Sequence, residues 1–220
     1  QNKLLDVNGL RHIVKPSINY VFIPRLNRTP GELDKLDSEL TSPNLLPFEM
    51  PDYNAIDNID AQNAVRLGLR NIWQTRRSPR LDEQQARAID ELIDWNLYTD
   101  WRLDPNSSQN TFADAFSELR FRPRNWVELQ SNFRYDLDNS MWRLMNNSVN
   151  FTPDDNWRLN AGHYYYLAHP SITEADRSSV IHTGVAYRLN ENWSASTRQY
   201  YDAVKGQLSQ HSYTLHRDMR

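Results

Sequence analysis

The chain has 220 residues, of which 39% are hydrophobic and 24% charged, with a formal net charge of −3 and no cysteine. That balance excludes an electrostatic footprint for nucleic acid, a disulfide framework and a thiolate zinc site. A mean hydropathy of −0.80 is too polar for an ordinary dry core, yet seven Trp and eleven Tyr are present, which suits either a membrane barrel with a wet lumen and aromatic girdles or a soluble β-rich domain.

No run of about 18 apolar residues is present to form a transmembrane helix. The opening segment Gln1–Val14 carries Lys3, Asp6, Arg11 and His12 without an apolar h-region, so an export signal is expected to lie outside this chain.

The period along the chain is 2 rather than 3.6, which predicts strands. The first, 12–23, places Val14, Pro16, Ile18, Tyr20 and Phe22 on one face. A long connection, 25–62, follows. In 63–77, Val65, Leu67, Leu69 and Trp73 oppose Arg66, Arg70, Gln74 and Arg76. In 88–102, Ile89, Ile93, Trp95, Leu97 and Trp101 oppose Asp90, Asp94, Asn96 and Asp100. In 112–122, Ala113, Ala115, Leu119 and Phe121 oppose Asp114, Glu118, Arg120 and Arg122.

The segment 126–136 sorts most cleanly, with Val127, Leu129, Ser131, Phe133 and Tyr135 against Glu128, Gln130, Asn132, Arg134 and Asp136. The apolar face shifts midway through 141–152, predicting a bulge near Asn146–Asn147. In 157–168, Trp157, Leu159, Ala161, Tyr165 and Leu167 share a face on which His163 is the exception. In 179–189, Ile181, Val185, Tyr187 and Leu189 oppose His182 and Arg188. Strands 193–201 and 207–219 complete the series, the last with only Leu208, Tyr213, Leu215 and Met219 as large apolar residues.

These strands run to roughly 10–15 residues, where globular strands average about 5–6 and tilted membrane strands need about 9–11. Three turns share one design: Pro123-Arg124-Asn125-Trp126, Pro153-Asp154-Asp155-Asn156-Trp157 and Asn190-Glu191-Asn192-Trp193. Each is a short polar turn followed by Asn-Trp and a new strand, the place where an interfacial girdle needs an amphipathic ring. Trp126, Trp157 and Trp193 are therefore candidate girdle residues; in a soluble sheet they would cap strand ends instead.

Outer-membrane barrels have short periplasmic turns and longer outer loops. With the Asn-Trp turns on the periplasmic side, the connections 25–62, 103–111, 137–139, 169–177 and 202–204 fall outside, and 78–85 is a mid-length exception on the periplasmic side. The expected lipid-facing set is Val14, Ile18, Leu67, Leu69, Trp73, Ile93, Trp95, Leu97, Leu129, Phe133, Leu159, Val185 and Tyr187. The expected architecture is all-β: an antiparallel up-and-down transmembrane β-barrel with about ten strands present.

No catalytic, cofactor or metal site is expected. Ser178, Ser179 and His182 lie close in sequence, but Ser179 and His182 fall on opposite faces of a strand, as do His211 and His216. Arg66, Arg70, Arg120, Arg122 and Arg134 face a hydrated lumen. There they could contact the phosphates or sugars of a ligand headgroup, or pair across strands with the acidic residues, the favoured reading.

The segment His12-Ile-Val-Lys-Pro-Ser-Ile-Asn-Tyr-Val-Phe-Ile-Pro24 resembles the P-x-x-x-Y-x-x-x-P strand of the LPS-assembly outer-membrane protein family (LptD, or organic solvent tolerance protein). Pro51-Asp52-Tyr53, the Asp-rich stretch Ile56-Asp57-Asn58-Ile59-Asp60 leading to Asn63 and Gly68-Leu69, and Tyr135-Asp136 and Tyr201-Asp202 at strand ends are similar to it as well.

The resemblance covers roughly residues 11 to 220. It implies the C-terminal part of a larger barrel that delivers lipopolysaccharide to the outer leaflet of the bacterial outer membrane. The implied partners are lipopolysaccharide, outer-membrane lipid, an LptE-type plug lipoprotein and periplasmic LPS-transport proteins. The family's periplasmic domain and early strands are expected to lie outside this chain. Without cysteine, the disulfide that ties barrel to periplasmic domain in many members cannot be carried over, and a lineage outside the enterobacteria is expected. A porin-like passive diffusion channel is the alternative function; a soluble β-sandwich binding module is the third and weakest.

Overall fold

The computed structural model describes residues 7–24, 61–77, 89–105, 110–167 and 177–218. They form one ten-stranded antiparallel sheet in which every strand pairs with its sequence neighbours, β1 to β10 in order. The strands are β1 (Asn8–Ile23), β2 (Gln62–Arg76), β3 (Ile89–Arg102), β4 (Ala115–Arg124), β5 (Val127–Asp136), β6 (Met141–Phe151), β7 (Trp157–Leu167), β8 (Arg177–Arg188), β9 (Trp193–Asp202) and β10 (Gln207–Arg217). The fold is all-β and up-and-down, with no helix among the described residues. The expected connections 25–62, 78–85 and 169–177 lie wholly or almost wholly outside the described residues.

Tight turns of one chemistry join several of these strands. Asp136 Oδ1 accepts the amides of Asp138 and Asn139 at 3.0 and 2.9 Å, and Asp202 Oδ1 those of Val204 and Lys205, both at 3.0 Å. At the opposite end of the sheet, Asp154 accepts from Asn156 and Trp157, and Asn190 from Asn192 and Trp193, at 2.8–2.9 Å. Each side chain supplies the acceptor that a reversing backbone needs two and three residues on. The paired motifs Tyr135-Asp136 and Tyr201-Asp202 thus mark the start of two equivalent turns. Each turn closes four residues later with a left-handed residue, Ser140 at φ 52° and Gly206 at φ 67°.

The register corrects the sequence reading in several places. β1 starts at Asn8 rather than residue 12, because its pairing with β2 continues past a bulge at Gly9 to Arg76. β4 spans Ala115–Arg124, not 112–122: Phe112 makes only an isolated bridge to Trp101, while Pro123 and Arg124 belong to the strand. Pro123 is accommodated where the ladder shifts between Phe121 and Arg124, since proline has no amide to donate. The first Asn-Trp turn is therefore Asn125–Trp126 alone, and Trp126 sits in the turn rather than in the strand.

The bulge in β6 lies at Arg143, between the pairs Arg134↔Leu144 and Tyr135↔Trp142, and not at Asn146–Asn147, which pair regularly with Asn132 and Ser131. A bulge at Leu92 reverses the phase of early β3, so that Ile89 and Glu91 share a face with Arg76 and Gln74. Another at Ser209 puts Leu208 on the same face as Tyr213, although one is even and the other odd.

Directly paired residues share a face, so the register defines two walls. One carries the rows Ile18–Leu67, Leu69–Leu97, Trp73–Ile93–Phe121–Leu129–Val149, Phe151–Leu159–Val185 and Trp157–Tyr187–Ala195–Leu215. The other carries Arg66–Asp100, Phe116–Arg134–Leu144 and Asp94–Arg120–Gln130–Ser148–Gly162–His182–Tyr200. Exposure is inverted relative to a water-soluble sheet. Ile18 is 75% exposed and Leu215 65%, whereas Arg66 is 9%, Asp94 7% and Arg134 8%. A single-layer sheet buries side chains only by curling toward them, so the charged wall is concave and the apolar wall convex.

Candidate functional site

The concave wall carries a run of ion pairs between neighbouring strands, from β2 to β5. Arg66 and Asp100, directly opposed on β2 and β3, form a bidentate pair with Nε–Oδ1 2.7 Å and Nη2–Oδ2 2.8 Å. Arg70 makes the same fork to Asp94 at 2.9 and 2.7 Å. Arg120 on β4 reaches both Asp94 and Glu91 at 3.2 Å, so Asp94 is shared by two guanidinium groups. Arg122 pairs with Glu128, and Arg134 pairs with Asp114 while lying over the Phe116 ring at 5.2 Å.

All five arginines that the sequence nominated as lumen residues thus sit on one wall and are neutralised by carboxylates, four of them on neighbouring strands and one, Asp114, just before β4. A planar fork that meets a carboxylate in two parallel bonds holds register and orientation together. These pairs stitch β2 to β5. The same wall holds the Tyr98–Phe116 stack, with ring centroids 5.2 Å apart.

Across β7 to β9 the pattern changes. Arg158 and Arg198 project from the concave wall, in rows with Ala186 and Ser196, and with Gly184 and Ser212. Neither has a carboxylate partner among the described residues. Arg188 donates Nε to the Asn190 carbonyl at 3.3 Å. Arg158, Arg188 and His216 line a cavity of about 370 Å³ at the Asn-Trp turn end, whose rim carries Asp155 and Glu191. Sequence reasoning singled out none of these as cations available to a ligand. Such availability is defined by the partner a residue lacks, and partners follow from register.

The nucleophile candidates do not assemble. Ser179 is on the convex wall, where its hydroxyl meets His163 Nε2 at 3.0 Å, whereas His182 is on the concave wall beside Tyr200. Asn147, opposite His163, is engaged by the Ser131 hydroxyl at 2.6 Å. The Ser179 carbonyl accepts the Ala203 amide at 2.8 Å, and the flanking residues run in the β7–β8 ladder, so the backbone there is committed to the sheet. His211 and His216 face opposite walls, paired with Gln199 and Ser194.

The three turn tryptophans all lie at one end of the sheet. Trp126 meets Phe151 edge-on at 5.1 Å, Trp157 lies 4.3 Å from Tyr187, and the Arg217 guanidinium sits 5.3 Å over the Trp193 ring. At the other end, Trp101 stacks on Phe112, and Trp142 packs between Phe133 and Tyr135 at 5.4 and 4.9 Å. Amphipathic rings therefore flank the apolar wall at both ends.

The family model described as LptD, LPS transport system D, matches residues 5–193. Similar proteins are the LPS-assembly protein LptD of Vibrio vulnificus (strain YJ016), 22% identical over 212 residues, and that of Vibrio cholerae serotype O1, 23% identical over 214. The alignments take in 90% and 86% of this chain but 26% and 25% of those proteins, so the chain spans about a quarter of the length of the curated relatives it matches.

Proposed function

This chain belongs to the LptD family, LPS transport system D, and from that premise we propose that its ten strands are one arc of an outer-membrane barrel that delivers lipopolysaccharide to the outer leaflet. The observation that carries the reading is the inversion of the two walls. A convex face of mainly apolar rows on strands of 10–16 residues, where the polar pairs Ser131–Asn147 and His163–Ser179 hydrogen-bond across strands, suits hydrocarbon, and an ion-paired concave face suits a hydrated lumen. The Asn-Trp turns form the periplasmic rim, with Trp126, Trp157 and Trp193 in the girdle there, and the Asp136 and Asp202 turns point outward.

β1 and β10 each offer a free edge among the described residues. Unpaired backbone groups in hydrocarbon cost several kcal/mol each, so further strands of the whole protein complete the barrel. The arc is then the C-terminal part of that barrel. A plug lipoprotein of the LptE type and periplasmic LPS-transport proteins are the expected partners.

Within this reading, headgroup contact falls to concave cations without carboxylate partners among the described residues. Arg158 and Arg198 meet lipopolysaccharide phosphates, while Arg66, Arg70, Arg120, Arg122 and Arg134 hold the wall together. A photo-crosslinking residue at Ser196, two strands from Arg158 in the same row and two residues from Arg198, should capture lipopolysaccharide in cells making the full-length protein. The same residue at Leu129 on the convex wall should not do so from the lumen. No lipopolysaccharide adduct at Ser196, together with free conductance of small solutes by the purified barrel, would favour a porin-like channel instead.

A further inference from the structure

The convex wall is not uniformly smooth. Along β9 the outward residues Ala195 and Thr197 are small, and they lie between bulky neighbours: Trp157 and Tyr187 on one side, Tyr213 and Leu215 on the other. The result is a furrow of about 520 Å³ with almost wholly apolar walls. It runs between strands two spacings apart, roughly 9–10 Å, which leaves room for one extended chain between the flanking side chains.

Toward the Asn-Trp turn, the next outward residue of β9 is Trp193, and the Arg217 guanidinium lies 5.3 Å over its ring. Arg217 has no carboxylate partner among the described residues. A cation held on an indole at the membrane rim, at the mouth of an apolar furrow, has the charge and the shape of a lipid site.

We propose that the β9 furrow is a specific glycerophospholipid site, with one acyl chain lying on Ala195 and Thr197 and the phosphate paired with Arg217. The inference rests on the proposed reading of the Asn-Trp turns as the periplasmic rim. That orientation places the site in the phospholipid leaflet and selects a glycerophospholipid rather than lipopolysaccharide. A lipid held there anchors the girdle beside Trp193 and covers Ala195 and Thr197, outward side chains of β9 too small to fill the space between their neighbours.

The test uses the full-length protein, purified in mild detergent from outer membranes. Native mass spectrometry reads retained phospholipid after addition of phosphatidylglycerol or phosphatidylethanolamine at low mole fraction. Wild type should retain one phospholipid per barrel. Thr197→Trp, which fills the furrow, should abolish retention, and Arg217→Gln should reduce it several-fold. Leu129→Trp, an outward substitution away from the furrow, should retain lipid as wild type does. Equal retention in all four proteins, or retention of lipopolysaccharide alone, would overturn the proposal. A photo-crosslinking residue separates the two levels of the argument. Capture of lipid or detergent at Leu129 with none at Thr197 defeats the furrow alone, whereas capture of protein at both defeats the membrane wall on which it depends.

Discussion

At the residue scale, the buried ion pairs and the turn geometry give the sharpest expectations. Arg66 and Asp100 retain side-chain exposures of only 10% and 18%. Removing one partner of such a pair leaves an uncompensated charge on a crowded wall, at a cost of about 3 kcal/mol or more. Asp100→Asn should lower the temperature at which the folded band is lost in heat-modifiability gels, and adding Arg66→Gln should cost less than the sum of the single effects. Additive losses would show that the pair is not coupled.

Ser140 and Gly206 close equivalent turns in the left-handed region, but only one of them is glycine. A side chain there costs about 1–2 kcal/mol, so Ser140→Gly should stabilise and Gly206→Ala destabilise, each by about 1 kcal/mol. Opposite signs in an unfolding titration would contradict the turn geometry. Gly162 is constrained differently. An added Cβ would lie 2.6 Å from the Asn147 carbonyl oxygen and against the His182 ring. Gly162→Ala should therefore impair assembly, while Gly184→Ala, which meets nothing closer than 3.8 Å, should be tolerated.

At the element scale, much was legible because alternation is a local property. The separation of Leu129 and Phe133 from Gln130 and Asn132 follows from the sequence of β5 alone. Bulges were not legible, since an extra residue shows only against the partner strand. The sequence of β6 shows that its apolar face shifts but not where, at Arg143 rather than Asn146–Asn147; the uneven pattern of β10 comes from Ser209. Ion-pair partners were hidden for the same reason. Arg66, Arg70 and Arg158 look alike in sequence, and register alone decides that, among the described residues, the first two meet carboxylates and the third does not.

The walls predict unequal costs for one substitution at neighbouring sites. Leu129 lies in the apolar row Phe121–Leu129–Val149, whereas Asn132 faces Glu118. Leu129→Arg should cost roughly 2–4 kcal/mol at the bilayer midplane and block assembly in a folding gel-shift. Asn132→Arg gains a carboxylate across the strand and should fold normally. Gln130→Arg should also fold, but it is the weaker control because Gln130 faces Arg120. Equal impairment by Leu129→Arg and Asn132→Arg would reverse the assignment of faces.

At the scale of the whole molecule, ten strands could close a narrow barrel, and the structure does not close one. Among the described residues, β1 pairs only with β2, and β10 only with β9. This chain has no native cysteine to interfere, and once any cysteine elsewhere in the full-length protein is replaced the arrangement is directly measurable. Single cysteines at each position from 207 to 217 would be combined with Ser17→Cys in the full-length protein in native outer membranes, and disulfides formed by mild oxidation. Paired residues on adjacent strands lie within reach of a disulfide, so Asn132→Cys with Asn146→Cys, opposed on β5 and β6, is the positive control. The arc of a larger barrel predicts a bond in the control and none between Ser17 and any position of β10. A disulfide between Ser17 and β10 in one register would mean that these strands close on each other as a small pore, and it would contradict the larger barrel.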